Sequence, residues 1–258
     1  HAFDVEHTQR PHALHILADG DVRGRIAATA VRNLGTPIMP GGVHESHEPY
    51  ADPEEFLTDI AVVDRSLRAG IDPTLADDAL AELVSSVHSF GFHLYGLDLR
   101  QNSETFEEVL TELFSRAGVS DNYAELDEKE KVSLLVAELS HPRPLTDSAA
   151  EWSEVTEREL GIFRAAAFAT ERFGREAVPH CIVSMTTSVS DILEPMILLK
   201  EVGLFNAQGE QPTGSVDVIP LFETIEDLQA GAGIMQELWA LPFYRAYVSQ
   251  LDNQQEVM

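Results

Sequence analysis

The chain has 258 residues, with 44 acidic and 17 basic side chains, a formal net charge of −27, and 44% hydrophobic residues. This is globular composition with enough apolar material for one large or two small domains. It excludes an integral membrane protein, because no apolar run approaches the roughly 20 residues of a membrane span, and so few cations argue against a nucleic-acid surface.

The single cysteine, Cys181, cannot form an internal disulfide and reads as a small buried apolar residue, so a reducing, cytoplasmic setting is the default. The chain opens at His1 without an initiator Met or a basic-then-apolar leader and closes on Gln255-Glu256-Val257-Met258, so both ends read as cuts.

In chain order, residues 9–34 are Ala-rich and weakly helical. Thr36 to Pro53 is Pro- and Gly-rich and reads as a linker. Asp52, Pro53 and Glu55 then form a capping signal, Phe56, Ile60, Val63 and Leu67 recur at helical spacing, and Gly70 stops the run. A second helix over about 75–89 places Leu80, Leu83, Val84 and Val87 on one face. Residues 1–89 therefore form a mainly helical segment, and a different grammar begins at residue 90.

Phe92 to Arg100 is aromatic and aliphatic without proline and predicts a strand over 92–100. Asn102 or Ser103 caps a helix carrying Phe106, Val109, Leu110 and Leu113, which closes near Gly118. Further helices are predicted over about 127–139 and 154–173. A continuous apolar strand follows over 180–186, then a helix from Ser190 to about Val202 and a third strand over 216–223. Thr224-Ile225-Glu226-Asp227 forms a capping box, and Ile225, Leu228, Ala232, Met235 and Trp239 make a heptad-like stripe. Apolar strands alternating with helices over 90–258 predict an α/β unit, predominantly helical, with a parallel sheet covered by helices. Pro220 is an objection to the third strand, because proline removes a ladder donor.

In parallel α/β architectures, chemistry gathers where strands end and helices begin. Arg100 ends the first predicted strand just before a helix start. Guanidinium fork and helix N-terminus together attract a phosphate or carboxylate, whereas the plain alternative is a salt bridge to a nearby carboxylate such as Asp98 or Glu104. Glu223 ends the third strand. It suits one of the one or two protein carboxylates that Mg²⁺ takes, or else serves as a dipole partner for the next helix.

Other candidates carry less. His44-Glu45-Ser46-His47-Glu48 has metal-like spacing but sits in the linker. His12 and His15 could share a helix face, and His93 reads as a core histidine. Ser184 has no nucleophile-elbow glycines around it. Gly231-Ala232-Gly233 fits no phosphate loop and reflects close packing.

At the strand ends the sequence is similar to a known family. Gly96 to Ser103 (GLDLRQNS) resembles the LDxRQxS segment of phosphoenolpyruvate carboxylase. Ile182 to Met185 with Ser190 to Leu193 resembles its VISM…SDxL block, and Pro220 to Thr224 with Asp227-Leu228 resembles its PLFE…DL block. Lys131 to Leu145 is similar to the helix and loop between the first two, and Glu256-Val257-Met258 to the opening of the strand bearing GYSDS. These blocks agree in order and spacing over 90–258, whereas 1–89 matches only through the helix at 54–68.

The resemblance implies a TIM-type barrel of eight parallel strands in a large helical subunit, a homo-oligomer (tetramer) in the cytoplasm. This piece supplies three strands and the start of a fourth. It implies formation of oxaloacetate and phosphate from phosphoenolpyruvate and bicarbonate with Mg²⁺ or Mn²⁺. In that scheme Arg100 is the catalytic and substrate-binding cation that holds the phosphate, and Glu223 is one metal ligand. The family's TAHPTE, GYSDS and HGRGG segments are not within these residues, so the piece alone is expected to be inactive and marginally stable, with unpaired sheet edges. Two other readings remain open: a non-catalytic helical scaffold, and another metal-dependent barrel enzyme acting on pyruvate or phosphoenolpyruvate.

Overall fold

The computed structural model describes residues 49–70, 73–147, 150–206 and 211–258. The weak helix at 9–34, the linker before Pro49, the His12/His15 pair and the His44–Glu48 cluster lie outside the described residues. Two compact units emerge: the described residues up to Tyr95 with Arg172–Ala177, and Gly96–Glu171 with Val178–Met258.

In the first unit, helix α1 (Pro53–Arg68) starts as its capping signal dictates. Asp52 Oδ1 accepts the Glu55 N–H at 2.8 Å, and the Glu55 carboxylate reaches back to the Ala51 N–H at 2.8 Å. Phe56 and Ile60 pack with Tyr50 and with Val87 of α2 (Ala79–Phe90) in one apolar cluster, which Leu80 and Val84 flank. Helix α2 begins four residues later than its apolar spacing predicts, because a 3₁₀ turn takes up Pro73–Ala76. Leu83 lies outside the expected apolar face and is exposed.

The strand expected over 92–100 is corrected. After α2 the chain turns through Gly91 (φ 48°) and Leu94 (φ 72°), and Leu94, Tyr95 and Leu97 are exposed. Only Leu99–Asn102 forms strand β1. The composition of residues 92–98 suits a strand, but a strand persists only where a ladder partner lies alongside. That partner begins at Cys181, opposite Leu99.

The second unit is built on a parallel sheet in the order β1–β2–β5, where β2 is His180–Ser184 and β5 is Asp217–Pro220. Between them, β3 (Phe205–Asn206) and β4 (Thr213–Gly214) form a short antiparallel pair. Both β2 and β5 fall inside the predicted spans and are shorter. Beyond β5, the Met258 N–H donates to Pro220 O and the Phe222 N–H to Met258 O, each at 3.0 Å. One residue bonded to two positions a pair apart is the parallel pattern, so a fourth line opens along the outer edge of β5. Pro220 is tolerated because its missing N–H faces this edge, where pairing only begins.

Helices α3 (Ser103–Arg116), α4 (Glu128–Leu139), α5 (Glu154–Phe173), α6 (Val189–Glu201), α7 (Ile225–Ala240) and α8 (Pro242–Gln250) surround the sheet connections. Helix α6 is buried along nearly its whole length against α3 and α4, which explains its run Ile192 to Leu199 without a polar face. Phe106 meets Phe163 edge-on at 6.1 Å, and Phe114 meets Tyr123 at 4.9 Å. Cys181 is fully buried, and burial pushes its thiol up to about 12, so it behaves as an apolar residue.

The heptad-like stripe on α7 is also corrected. Ile225 is 71% and Leu228 63% exposed, while Asp227, Gly231, Met235 and Leu238 face inward. The face is set by Gly231, where a Cβ would lie 3.1 Å from the Phe222 ring. A side chain there would have to displace that ring by a few tenths of an ångström, so Gly231 reflects close packing, whereas Gly233 is open. Among the described residues no helix is long and apolar enough to cross a membrane.

Candidate functional site

Parallel register puts the C-terminal ends of β1, β2 and β5 along one edge, and the two candidate residues meet there. Arg100 stands opposite Ile182, and Asn102 opposite Ser184. With side chains alternating along a strand, residues 100 and 184 share a face. The Arg100 side chain therefore runs forward to the edge, where its Nε–H donates to Ser184 Oγ at 2.8 Å. Its Nη2 lies 3.1 Å from Oε1 of Glu223. The two residues are 123 positions apart in sequence.

The turn after β2 fixes the carboxylate. The Met185 N–H donates to Glu223 Oε2 at 3.1 Å, and the Ser103 hydroxyl donates to Met185 O at 3.0 Å. Met185 takes φ 58°, a left-handed conformation that is costly for a side chain other than glycine's. This conformation is held from both sides, by α3 through Ser103 and by the segment after β5 through Glu223.

The salt bridge to a nearby carboxylate does form at Arg100, but its partner is Glu223. Arg100 does not use Asp98, which instead meets His180 Nδ1 at 2.9 Å, with Glu256 3.9 Å from the other ring nitrogen. Thr224 and Asp227 cap α7 reciprocally at 3.0 and 3.1 Å, and Glu223 stands one residue before that cap. Its carboxylate is turned to Arg100 and Met185.

Two helix N-termini flank the pair. Asn102 Oδ1 accepts the Glu104 N–H at 3.0 Å to start α3, and Ser188 with Asp191 forms a capping box for α6. The Arg100 side chain is 58% exposed and that of Glu223 30%, so a cation and an anion stand open to a ligand on the same edge. Nη1 of Arg100 has no hydrogen-bond partner among the described residues. No three His, Cys, Asp or Glu among the described residues are grouped to hold a metal ion. One carboxylate with water and substrate oxygens is an ordinary Mg²⁺ environment, and the carboxylate on this edge is Glu223, whose oxygens meet Arg100 and the Met185 N–H.

His93 is half-buried in the turn after α2 rather than in a strand. Ser184 and Met185 carry no chemical signature of their own in the sequence. Their place depends on register across 84 residues, and only the block Ile182 to Met185 that they belong to marks them.

The family model for phosphoenolpyruvate carboxylase matches residues 8–258. The chain is 58% identical over 238 residues to the phosphoenolpyruvate carboxylase of Corynebacterium glutamicum, covering 92% of this chain and 26% of that protein. It is 49% identical over 243 residues to that of Mycobacterium avium and 48% over 239 to that of Nocardia farcinica, again over 92% of this chain. The chain thus spans about a quarter of the length of the curated relatives it matches. A match over nearly the whole chain, with the strand-end blocks brought onto one edge, establishes that it belongs to the phosphoenolpyruvate carboxylase family.

Proposed function

We propose that these residues form part of the active site of a cytoplasmic carboxylase that joins phosphoenolpyruvate and bicarbonate into oxaloacetate and phosphate. The observation that carries this reading is the Arg100–Glu223 pair at the C-terminal edge of a parallel sheet. The sheet order and the fourth line opened by Met258 support a sector of a TIM-type barrel, whose functional end is that edge.

Arg100 binds the substrate phosphate. A guanidinium can meet two oxygens at once, and the nearby N-terminus of α3 adds a favourable dipole. As bicarbonate attacks phosphorus and the phosphorus–oxygen bond to the enol breaks, Arg100 keeps the phosphoryl group oriented and offsets its charge. Glu223 would hold Mg²⁺ or Mn²⁺ as one ligand, and such an ion supplies Lewis-acid stabilisation of the enolate oxygen. The Met185 N–H orients the Glu223 carboxylate for that task. The complete protein is a homo-oligomer, a tetramer as in the family resemblance.

Fixation of labelled bicarbonate by the intact parent protein tests the proposal. It is expected to require both phosphoenolpyruvate and a divalent cation. A well-folded parent that fixes none would contradict it.

A further inference from the structure

We infer that Ser184 is a positioning residue for substrate binding, acting through Arg100; this rests on the reading of Arg100 as the phosphate ligand. The geometry decides which edge of the guanidinium is offered. Nε and Nη2 form one edge of the planar group, and both are engaged by the protein: Nε–H by Ser184 Oγ at 2.8 Å, Nη2 by Glu223 Oε1 at 3.1 Å. That leaves the outer edge, Nη1 with the second Nη2 hydrogen, without a protein partner among the described residues. This edge carries two parallel donors spaced for two oxygens of one phosphate.

The two anchors are not equivalent. Glu223 is a charged partner on an exposed pair, and a carboxylate that takes up a divalent cation has less charge to give a guanidinium. Ser184 is neutral and nearly buried, so its bond to Nε does not compete with a cation. It is the anchor that persists when Glu223 is otherwise occupied. Rotation about the last single bond of the Arg100 side chain is then opposed by Ser184 alone. Ser184 also stands at the last position of β2, opposite Asn102 at the end of β1, so the sheet itself fixes its hydroxyl. In a strand-end position with no elbow glycines, a serine that receives an N–H from a cation is a support for that cation and not a nucleophile.

The test is a double-substitution cycle in the intact parent protein, with Ser184→Ala, Arg100→Lys and the combination. The readouts are phosphoenolpyruvate affinity by calorimetry without bicarbonate, Mn²⁺ affinity by electron paramagnetic resonance, and melting temperature. Ser184→Ala is expected to weaken phosphoenolpyruvate binding about tenfold, the loss of one hydrogen bond to a charged group. In the Arg100→Lys background, which has no Nε–H fork to orient, the same change should cost less than about twofold. Mn²⁺ affinity and melting temperature should stay at the native value. An equal loss in both backgrounds, or no loss in the native background, would overturn the assignment. Failure of the underlying reading looks different: the native parent does not bind phosphoenolpyruvate, or Arg100→Lys binds it as well as native does. Either result removes the role of Ser184 with it.

Discussion

Nη2 of Arg100 and Oε1 of Glu223 lie 3.1 Å apart, joining the first strand of the parallel sheet to the residues after the third. With both side chains partly exposed, the pair contributes little to stability, under about 1 kcal/mol. In the proposed function its consequence is to keep the cation assigned to phosphate and the anion assigned to metal adjacent.

Replacing Arg100 by Lys preserves the charge and removes the fork. The Michaelis constant for phosphoenolpyruvate in the parent protein should rise by about ten- to a hundredfold, the loss of a bidentate contact. Steady-state kinetics at saturating bicarbonate would show it. Unchanged kinetics would return Arg100 to a structural role.

Met185 serves through its backbone. Met185→Gly removes the left-handed penalty of about 1 kcal/mol and keeps the N–H that orients Glu223, so the variant should retain its activity. Met185→Val, β-branched at φ 58°, should lose about 1–2 kcal/mol and shift Glu223. Thermal melts and Mn²⁺ affinity of the two variants test this. A glycine variant as impaired as the valine variant would assign the role to the side chain.

The glycines of α7 give a contrasting pair. A Cβ at Gly233 meets nothing within 4 Å, so Gly233→Ala should stabilise by up to about 1 kcal/mol through helix propensity. A Cβ at Gly231 would lie 3.1 Å from the buried ring of Phe222, the residue before Glu223. Gly231→Ala should therefore lose that gain and weaken metal affinity. Equal melting temperatures for the two variants would contradict the packing account.

Glu194 in α6 is fully buried and accepts the Tyr123 hydroxyl at 2.8 Å through Oε1, while Oε2 has no partner among the described residues. Burial holds its carboxyl well above the ordinary value of 4.5, with the negative charges of Asp191 and Glu107 acting in the same direction. A folded-state value raised above the unfolded one gives stability that is complete below about 4.5 and is lost as pH rises through the folded value. Glu194→Gln should flatten that decline and raise the melting temperature on its alkaline side. A variant with the native slope would show that Glu194 does not carry it.

Helices are legible where local chemistry suffices. Glu154–Phe173 matches its predicted span, and the caps at Asp52, Asn102 and Thr224 all form. What depends on distant partners is less so. Residues 92–98 have strand composition and no ladder, and the exposed Ile225 and Leu228 look like a core stripe only in isolation. Arg100 and Glu223 can each be placed near a strand end from sequence, although β1 runs on to Asn102 and β5 stops at Pro220. That they pair with each other, rather than with Asp98, Glu104 or a helix terminus, follows from register. Ser184 and Met185 become visible only once that register is known.

The most direct test is phosphoenolpyruvate-dependent fixation of labelled bicarbonate with Mg²⁺ by the intact parent protein, comparing native with Glu223→Gln. That substitution keeps the shape and removes the charge, so folding should be little affected. The account predicts robust fixation by the native protein and a collapse of about a hundredfold or more in the variant, the scale of a lost charge-stabilising group. Fixation surviving at native rate in a folded Glu223→Gln variant would contradict the role of the Arg100–Glu223 edge in catalysis.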